Sequence, residues 1–289
     1  MIQDKDGKKW YKTGLHIHTT LSDGRKTPED VVAEYRAQGY DAIALTDHWV
    51  YGAGGNVNGL LILPGCEYNS RGHDTVAGVM HLVGIGMEYD PGLTREDTRQ
   101  HIVAEIIRAG GIPVLAHPAW SLNTVEDALE LPEVALTEVY NAVSEAHQSV
   151  RAYSENFAEL CANRGIYYGL LATDDAHYYD GSDSCKGFTM IRAEACTGEA
   201  LLQALRNGDF YASQGPELLV RREEKRVFVE CSPCVTIAVM TDSAWSGGRV
   251  LRGEDLTEFS YELKETEHWF RVQVWDQNGK CAWSNILEV

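Results

Sequence analysis

Two histidines lie one residue apart in the segment Gly14-Leu15-His16-Ile17-His18-Thr19-Thr20-Leu21-Ser22-Asp23-Gly24, which follows a short apolar run. Alternate residues of a β-strand point the same way, so His16 and His18 could bind one ion from the end of a strand. Asp23 comes five residues later, in a Ser-Asp-Gly turn. The stretch therefore predicts a strand that ends in a metal site.

Further ligand types recur along the chain, mostly at the ends of apolar, strand-like runs. They are found in Thr46-Asp47-His48, Gly65-Cys66-Glu67, His81, Ala116-His117-Pro118 and Asp174-Asp175-Ala176-His177. A single buried histidine is usually structural. Six histidines and three carboxylates at strand ends indicate a metalloenzyme.

The ligand types narrow the choice of metal. Imidazole and carboxylate suit Zn, Mn or Fe, and the lack of cysteine among the candidates argues against a closed structural zinc site. Glu67 is the natural bridge, because a carboxylate has two oxygens and can hold two ions. We expect two to three divalent ions per chain.

Composition limits the partners. The formal charge of −18 argues against a long polyanion, so no long nucleic acid is expected. No apolar run approaches the roughly 20 residues of a membrane span, and residues 1–9 lack the apolar core of a signal peptide. The seven cysteines are odd in number and mostly isolated, which suits a reducing compartment. We expect a cytoplasmic protein without a membrane partner, and its oligomeric state stays open.

The first two-thirds of the chain alternates short apolar runs with amphipathic stretches, the pattern of an α/β fold around a parallel sheet. Candidate strands are Thr13–Ile17, Ala42–Leu45, Leu60–Leu63, Val79–Ile85, Ile112–Ala116, Leu136–Tyr140, Tyr167–Leu171 and Gly187–Arg192. Candidate helices are Val31–Gln38, Thr98–Ala109, His147–Asn163 and a short one that starts near Thr197 and runs through Leu205. Ligands at carboxyl ends of strands predict a TIM-like barrel.

After Gly215-Pro216 the pattern changes to short β-like runs separated by turns. We predict a metal-dependent hydrolase barrel over residues 1–215 and a small antiparallel β domain over 216–289, packed on the barrel. The Cys231-Ser232-Pro233-Cys234 segment is interpreted as a turn between two strands. Trp245, Trp269, Trp275 and Trp283 need a partner surface, which the barrel would provide.

The motifs resemble the PHP (polymerase and histidinol phosphatase) superfamily over about residues 14–177. The resemblance implies a distorted (β/α)7 barrel with up to three metals. It assigns His16, His18, Glu67 and Asp175 to one ion, Glu67, His81 and His117 to a second, and Asp23, His48 and His177 to a third. It further implies catalytic roles for Glu67, Asp175 and His177.

The tail resembles one branch of that superfamily, through Phe210–Pro216 and Trp283-Ser284-Asn285. That branch includes carbamate and amide hydrolases, whereas much of the superfamily cleaves phosphoesters. Three divalent ions against three carboxylates leave the pocket at about +3 by counting charges alone, which favours an anion.

We therefore predict a phosphoesterase that hydrolyses a small phosphorylated metabolite or nucleotide by attack of a metal-bound hydroxide. One alternative is a hydrolase of a carbamate, amide or carboxyl ester. Another is an inactive, metal-dependent scaffold.

Several neighbouring residues have open interpretations. Asp47 either orients a ligand imidazole or a bound water, or caps the turn that follows it. Arg25 either reaches a phosphate or is a solvated loop residue. His73 and Arg71 lie on a loop that could cover the site, and exposed positions are the more ordinary interpretation. Glu138 and Asn141 could line the mouth of the barrel.

Overall fold

The computed structural model describes residues 8–71 and 79–289, with Arg71 described by its backbone only. The predicted roles of His73 and of the Arg71 side chain lie outside the described residues. No helix within this part of the chain is long and apolar enough to cross a membrane.

The fold is mixed α/β, built on two sheets. The strands are β1 (Lys9–Gly14), β2 (Ala42–Ala44), β3 (Gly55–Val57), β4 (Leu60–Leu63), β5 (Gly65–Arg71), β6 (Val79–Ile85), β7 (Ile112–Leu115), β8 (Leu136–Asn141), β9 (Gly169–Thr173), β10 (Phe188–Ala193), β11 (Phe210–Ser213), β12 (Leu218–Glu223), β13 (Arg226–Thr241), β14 (Val250–Glu262), β15 (Trp269–Trp275), β16 (Cys281–Ser284) and β17 (Leu287–Glu288). The helices are α1 (Pro28–Ala37), α2 (Arg99–Arg108), α3 (Pro118–Ser121), α4 (Val125–Leu129), α5 (Glu155–Ala162) and α6 (Gly198–Asn207), with a π-helical turn at Ser144–Gln148.

The start and stop signals of the helices act as the sequence predicts. Thr27 caps α1 by accepting a hydrogen bond from the Asp30 backbone, and Pro28 occupies the first turn. Gly208 ends α6 at a φ of 76°, a left-handed conformation that glycine adopts without a steric penalty.

The larger sheet has the order β12-β13-β15-β16-β11-β10-β1-β2-β4-β3, with β14 on β13 and β17 on β15. The smaller sheet has the order β5-β6-β7-β8-β9. In it β6 runs antiparallel to both β5 and β7, and in the larger sheet β10 runs antiparallel to β1, so the predicted parallel arrangement is wrong for these two strands. The reversal places the start of β6, rather than its end, at the same edge as the carboxyl ends of β7, β8 and β9.

The two sheets meet at two isolated parallel bridges, Ile17 with Ala176 and His48 with Glu67. At the first, the Asp175 amide donates to the His16 carbonyl at 2.9 Å. At the second, the Trp49 amide donates to the Glu67 carbonyl at 3.0 Å. No closed barrel is found among the strands of residues 8–71 and 79–289. We call this junction the seam, defined by the two bridged pairs.

Three sequence predictions fail locally. The predicted helix 147–163 is instead the π-helical turn followed by α5. Val150 between them takes a φ of 59°, and Tyr153 forms an isolated bridge with Tyr140, so helical hydrogen bonds cannot run through. The Cys231 segment is a bulged part of the long strand β13, not a turn. Trp245 is 85% exposed, so this ring has no partner surface among the described residues.

The strands after Pro216 pair antiparallel with one another, as predicted, and also join the larger sheet through β16 on β11. Trp283 on β16 is fully buried, and its ring nitrogen donates to Glu155 on α5 at 3.1 Å. The Asn285 side chain accepts from the Leu170 amide at 2.8 Å. The tail is thus packed on the rest of the chain, while the domain boundary at 215/216 stays a prediction.

Candidate metal centre

Seven of the nine sequence-predicted ligands line one cavity at the seam, and His16 and His18 lie buried behind it, beside Glu67 and Asp175. His16 and His18 flank the bridge residue after β1, and His48 follows β2. The others are Glu67 on β5, His81 on β6, His117 between β7 and α3, Asp175 and His177 after β9, and Asp23 in the loop before α1. No strand was predicted from the sequence at Glu67, whereas the structure places this residue on β5. That strand was missed because its sequence, GCEYNSR, contains no apolar run.

The innermost group brings together His16, His18, Glu67 and Asp175, all buried. The Nε2 atoms of His16 and His18 lie 3.1 Å apart. Glu67 Oε2 lies 3.2 Å from the His16 nitrogen and 3.0 Å from that of His18. Asp175 Oδ1 lies at 3.2 and 3.1 Å from the same two atoms.

These separations fit a shared ion. Ligand atoms about 2.0 Å from a tetrahedral ion lie roughly 3.3 Å from one another, close to each of the five distances. Asp175 Oδ1 is also buried without a hydrogen-bond partner among the described residues. Burying a carboxylate oxygen without a hydrogen bond costs free energy. A cation held by the neighbouring histidine nitrogens and the Glu67 oxygen would be its partner.

A second group centres on the other oxygen of Glu67. Its Oε1 lies 2.8 Å from His81 Nδ1 and 3.4 Å from His117 Nε2. His48 Nδ1 lies 3.2 Å from Oε2 and has no hydrogen-bond partner among the described residues. Glu67 therefore faces both groups, as a bridging carboxylate would.

An outer group surrounds Asp23, which is 54% exposed by its side chain. Its carboxylate lies 3.4 Å from His177 Nε2, 3.5 Å from His18 Nδ1 and 3.8 Å from His48 Nε2. His177 Nδ1 lies 2.6 Å from the Asp175 carbonyl, so it donates there and leaves Nε2 as the free nitrogen.

The electrostatics of the inner group are those of paired opposite charges. Burial by itself lowers the pKa of His18, but the carboxylates of Asp175 and Glu67 raise it to about 9. Burial raises the pKa of Glu67, but His16, His48 and His81 hold it well below its usual range. Without metal the carboxylates are ionised and His18 carries a proton, which a divalent ion would have to displace.

Two of these residues have strained backbones. His117 and Asp175 take φ values of 32° and 51°, in the left-handed region that side chains with a Cβ rarely adopt. Such conformations cost energy and concentrate at functional sites. Here they turn the side chains that follow β7 and β9, the two strands on either side of β8, toward one cavity.

Glu138 has a larger role than the sequence suggested. This buried carboxylate accepts from His16 Nδ1 at 2.6 Å, from the His117 amide at 2.8 Å and from Asn141 Nδ2 at 2.8 Å. The bond to His16 fixes which ring nitrogen carries the proton and leaves Nε2 for the inner group. Asn141 also donates to Asp175 Oδ2 at 3.2 Å. No local motif marks Glu138, so the sequence offered only its position at a strand end.

The other acidic neighbours hold loops. Asp47 accepts from the backbone and side chains of Thr19 and Ser22, so it caps the distant turn at Thr19–Ser22 rather than the turn that follows it, and these hydrogen bonds involve no ligand imidazole. Asp174 accepts from Tyr35 and three backbone amides, which leaves Asp175 to face the cavity. Asp183, which the sequence did not single out, accepts from the His177 amide at 2.8 Å and two more amides.

The cavity that these groups surround is open and measures about 380 Å³. Besides the ligand candidates its lining includes Arg25, Trp120, Gln148 and Tyr178. Its chemistry is therefore that of a polar, histidine-rich site with one permanently cationic side chain at its wall.

Histidine and carboxylate side chains that converge on one cavity define a metal-binding class of site. Residues 14–104 match the family model of the PHP domain. This part of the chain therefore matches a PHP domain, and the resemblance drawn from the motifs is confirmed there. Among curated proteins none matches the chain.

Three solved structures are similar to this chain, and the first two, with TM-scores above 0.5, share its fold. A two-domain protein containing a predicted PHP-like metal-dependent phosphoesterase from Bacteroides vulgatus ATCC 8482 is 17% identical, with a TM-score of 0.60, over 99% of this chain and 98% of that one. Endonuclease Q in complex with a 27-mer duplex is 13% identical, with a TM-score of 0.52, over 69% and 57%. An amidohydrolase from Chromobacterium violaceum is 17% identical, with a TM-score of 0.42, over 59% and 89%.

The second of these corrects one expectation. The net charge of −18 led us to exclude a long nucleic acid, and that exclusion is wrong, because a protein with this fold binds a DNA duplex. Net charge is a sum over the whole chain, whereas binding depends on the local field at the site.

Proposed function

We propose that this protein is a metal-dependent hydrolase that cleaves phosphoesters. The observation that carries the proposal is the inner group, in which two buried histidine nitrogens lie 3.1 Å apart and each lies 3.0–3.2 Å from a Glu67 oxygen and from an Asp175 oxygen that has no hydrogen bond among the described residues. We propose two to three divalent ions, Zn, Mn or Fe, shared among the inner, second and outer groups as the resemblance implies.

The fold supports a shared centre for these groups. We propose that β1, β2, β5, β6, β7, β8 and β9 form a distorted (β/α)7 barrel, in which the two isolated bridges connect the sheets at the ligand edge. The strands from β12 onward form the small β domain of our division at residue 215.

Bound divalent ions would supply Lewis-acid polarisation of the substrate and a water of lowered pKa. The chain's own residues position this chemistry. Glu138 holds the His16 ring, and the Asp175 carbonyl holds the His177 ring with Nε2 toward the cavity. We assign catalytic roles to Glu67, Asp175 and His177, since they face the cavity and connect the three groups.

The substrate would be anionic. A phosphate entering the open cavity would meet divalent ions at its floor and Arg25 at its wall. We propose a small phosphorylated metabolite or nucleotide, and a nucleic-acid phosphate is a further candidate that the fold of endonuclease Q favours. Seven free cysteines fit a reducing, cytoplasmic compartment.

Metal analysis and a substrate panel test the proposal. Purified protein should contain two to three divalent ions, and Glu67→Ala should remove more metal than His81→Ala, because Glu67 faces two groups. His101→Ala, an exposed helical histidine outside the cavity, is the matched control. Full occupancy in Glu67→Ala would contradict the bridging assignment.

The panel should contain phosphomonoesters, phosphodiesters, an oligonucleotide, a carboxyl ester and an amide, each with added Mn or Zn. Turnover of a phosphoester that is lost on chelation supports the proposal. Turnover of the carboxyl ester or amide alone would establish the alternative hydrolase instead. Unchanged phosphoester turnover after exhaustive chelation would refute the metal requirement.

A further inference from the structure

Arg25 is the one permanently cationic side chain among the residues that line the cavity. In a chain with a net charge of −18, an arginine near carboxylates would ordinarily pair with one of them. Among the described residues Arg25 forms no such ion pair. Its guanidinium lies instead 4.5 Å from the centre of the Tyr178 ring. A cation on an aromatic ring keeps its N–H donors free for another partner.

The position of Arg25 is coupled to two proposed ligands. Its backbone amide donates to the His177 carbonyl at 2.8 Å. The preceding residue, Gly24, approaches the His18 carbonyl so closely that a Cβ would lie 2.6 Å from it. Asp23 Oδ1 and His177 Nε2 are 3.4 Å apart. The turn therefore sets Arg25 beside the outer group.

Tyr178 is supported in turn. Its ring stacks on His147 with centroids 3.8 Å apart and an interplanar angle of 17°. His147 comes from the π-helical turn and lies 2.7 Å from Ser182 Oγ and 3.2 Å from Asp180. We name Arg25, Tyr178 and His147 the arginine stack. Its rings hold the guanidinium at the cavity wall at a small cost in side-chain entropy.

We propose that Arg25, held by the arginine stack, binds the non-bridging oxygens of the substrate phosphoryl group and gives the site its preference for phosphoesters over neutral esters. A guanidinium presents parallel N–H donors that match two phosphate oxygens. This inference rests on the proposed function, and makes Arg25 a specificity residue.

Arg25→Gln tests the inference, with Arg36→Gln on the exposed side of α1 as the matched control. In the metal-loaded enzyme, Arg25→Gln should raise the KM for p-nitrophenyl phosphate by about 10- to 100-fold, the size of lost hydrogen bonds to a charged group. Arg25→Lys should give an intermediate KM, because lysine keeps the positive charge but lacks the parallel N–H donors of the guanidinium. Metal content should stay unchanged in all three variants.

Calorimetric titration with inorganic phosphate gives a readout independent of turnover. Phosphate should bind Arg25→Gln at least about tenfold more weakly than wild type or Arg36→Gln. Equal phosphate affinity and equal KM in Arg25→Gln would overturn the inference, as would a loss of bound metal in that variant. If wild type cleaves no phosphoester, the proposed function fails, while the phosphate titration still decides the role of Arg25.

Discussion

Replacing Glu138 by glutamine would test how the buried carboxylate beneath the inner group supports it. The amide has the same shape but a single acceptor oxygen, whereas Glu138 uses one oxygen for His16 Nδ1 and the other for His117 and Asn141. If the amide nitrogen faces His16, the imidazole proton must move to Nε2, the atom that faces the inner group. If the amide nitrogen faces the other way, it meets the His117 N–H and the Asn141 side-chain N–H, and these two donors lose their acceptor.

The size of both effects follows from the kind of contact that Glu138 makes with His16. Loss of one buried, charge-assisted hydrogen bond should lower the free energy of unfolding of the chelated protein by about 1.5–3 kcal/mol. Loss of such a supporting partner typically weakens metal binding by about 10- to 100-fold. Urea unfolding of chelated protein and competition with a fluorescent chelator measure the two effects separately.

Glu130→Gln, an exposed residue at the end of α4, is the matched control and should change neither quantity. The reasoning fails if Glu138→Gln binds metal within about twofold of wild type and unfolds at the same urea concentration. In that case the 2.6 Å contact with His16 would contribute nothing to the site.

Three further predictions concern pH and packing. In chelated protein the pKa of His18 is about 9, above the unfolded value of about 6.5. The stabilisation from protonated His18 is therefore fully present below pH 6.5 and is lost as pH rises toward 9. The melting temperature of wild type should fall from pH 6 through pH 7.5 to pH 9, and that of His18→Gln should change less. Trp283→Ala should cost about 3–5 kcal/mol in urea unfolding, while Trp245→Ala, on an 85% exposed ring, should cost almost nothing; equal effects would contradict the packing of the tail. A fragment ending at Gln214 should be poorly soluble because it uncovers the surface under β16, and a soluble fragment with an unchanged melting temperature would refute this.

The sequence was a better guide to which side chains come together than to the strand pairing around them. Histidines and carboxylates that follow short apolar strands are a local pattern, and strand ends of one sheet edge come together, so all nine candidates could be chosen. The ladder partners of a strand are not local. Val79–Ile85 was predicted with its bounds intact, yet nothing in its residues distinguishes a parallel from an antiparallel neighbour.

The supporting residues were harder to predict for the same reason. Glu138 lies 122 residues from His16 along the chain, and only the folded structure brings them into contact. The break between the π-helical turn and α5 depends on the bridge of Tyr153 to Tyr140, which helical periodicity cannot report. The role of Arg25 likewise depends on Tyr178, a partner from a distant loop.

The seam has a mechanical consequence. Few backbone hydrogen bonds join the two sheets there, and each bridged pair contains or adjoins proposed ligands: His16, His18 and Asp175 at one, His48 and Glu67 at the other. An ion held between these side chains would link the two sheets at the seam through its ligands. Loading with metal should therefore slow amide hydrogen exchange at Asp175 and Trp49 more than within the β13–β15 ladder, where six consecutive residue pairs already join the strands.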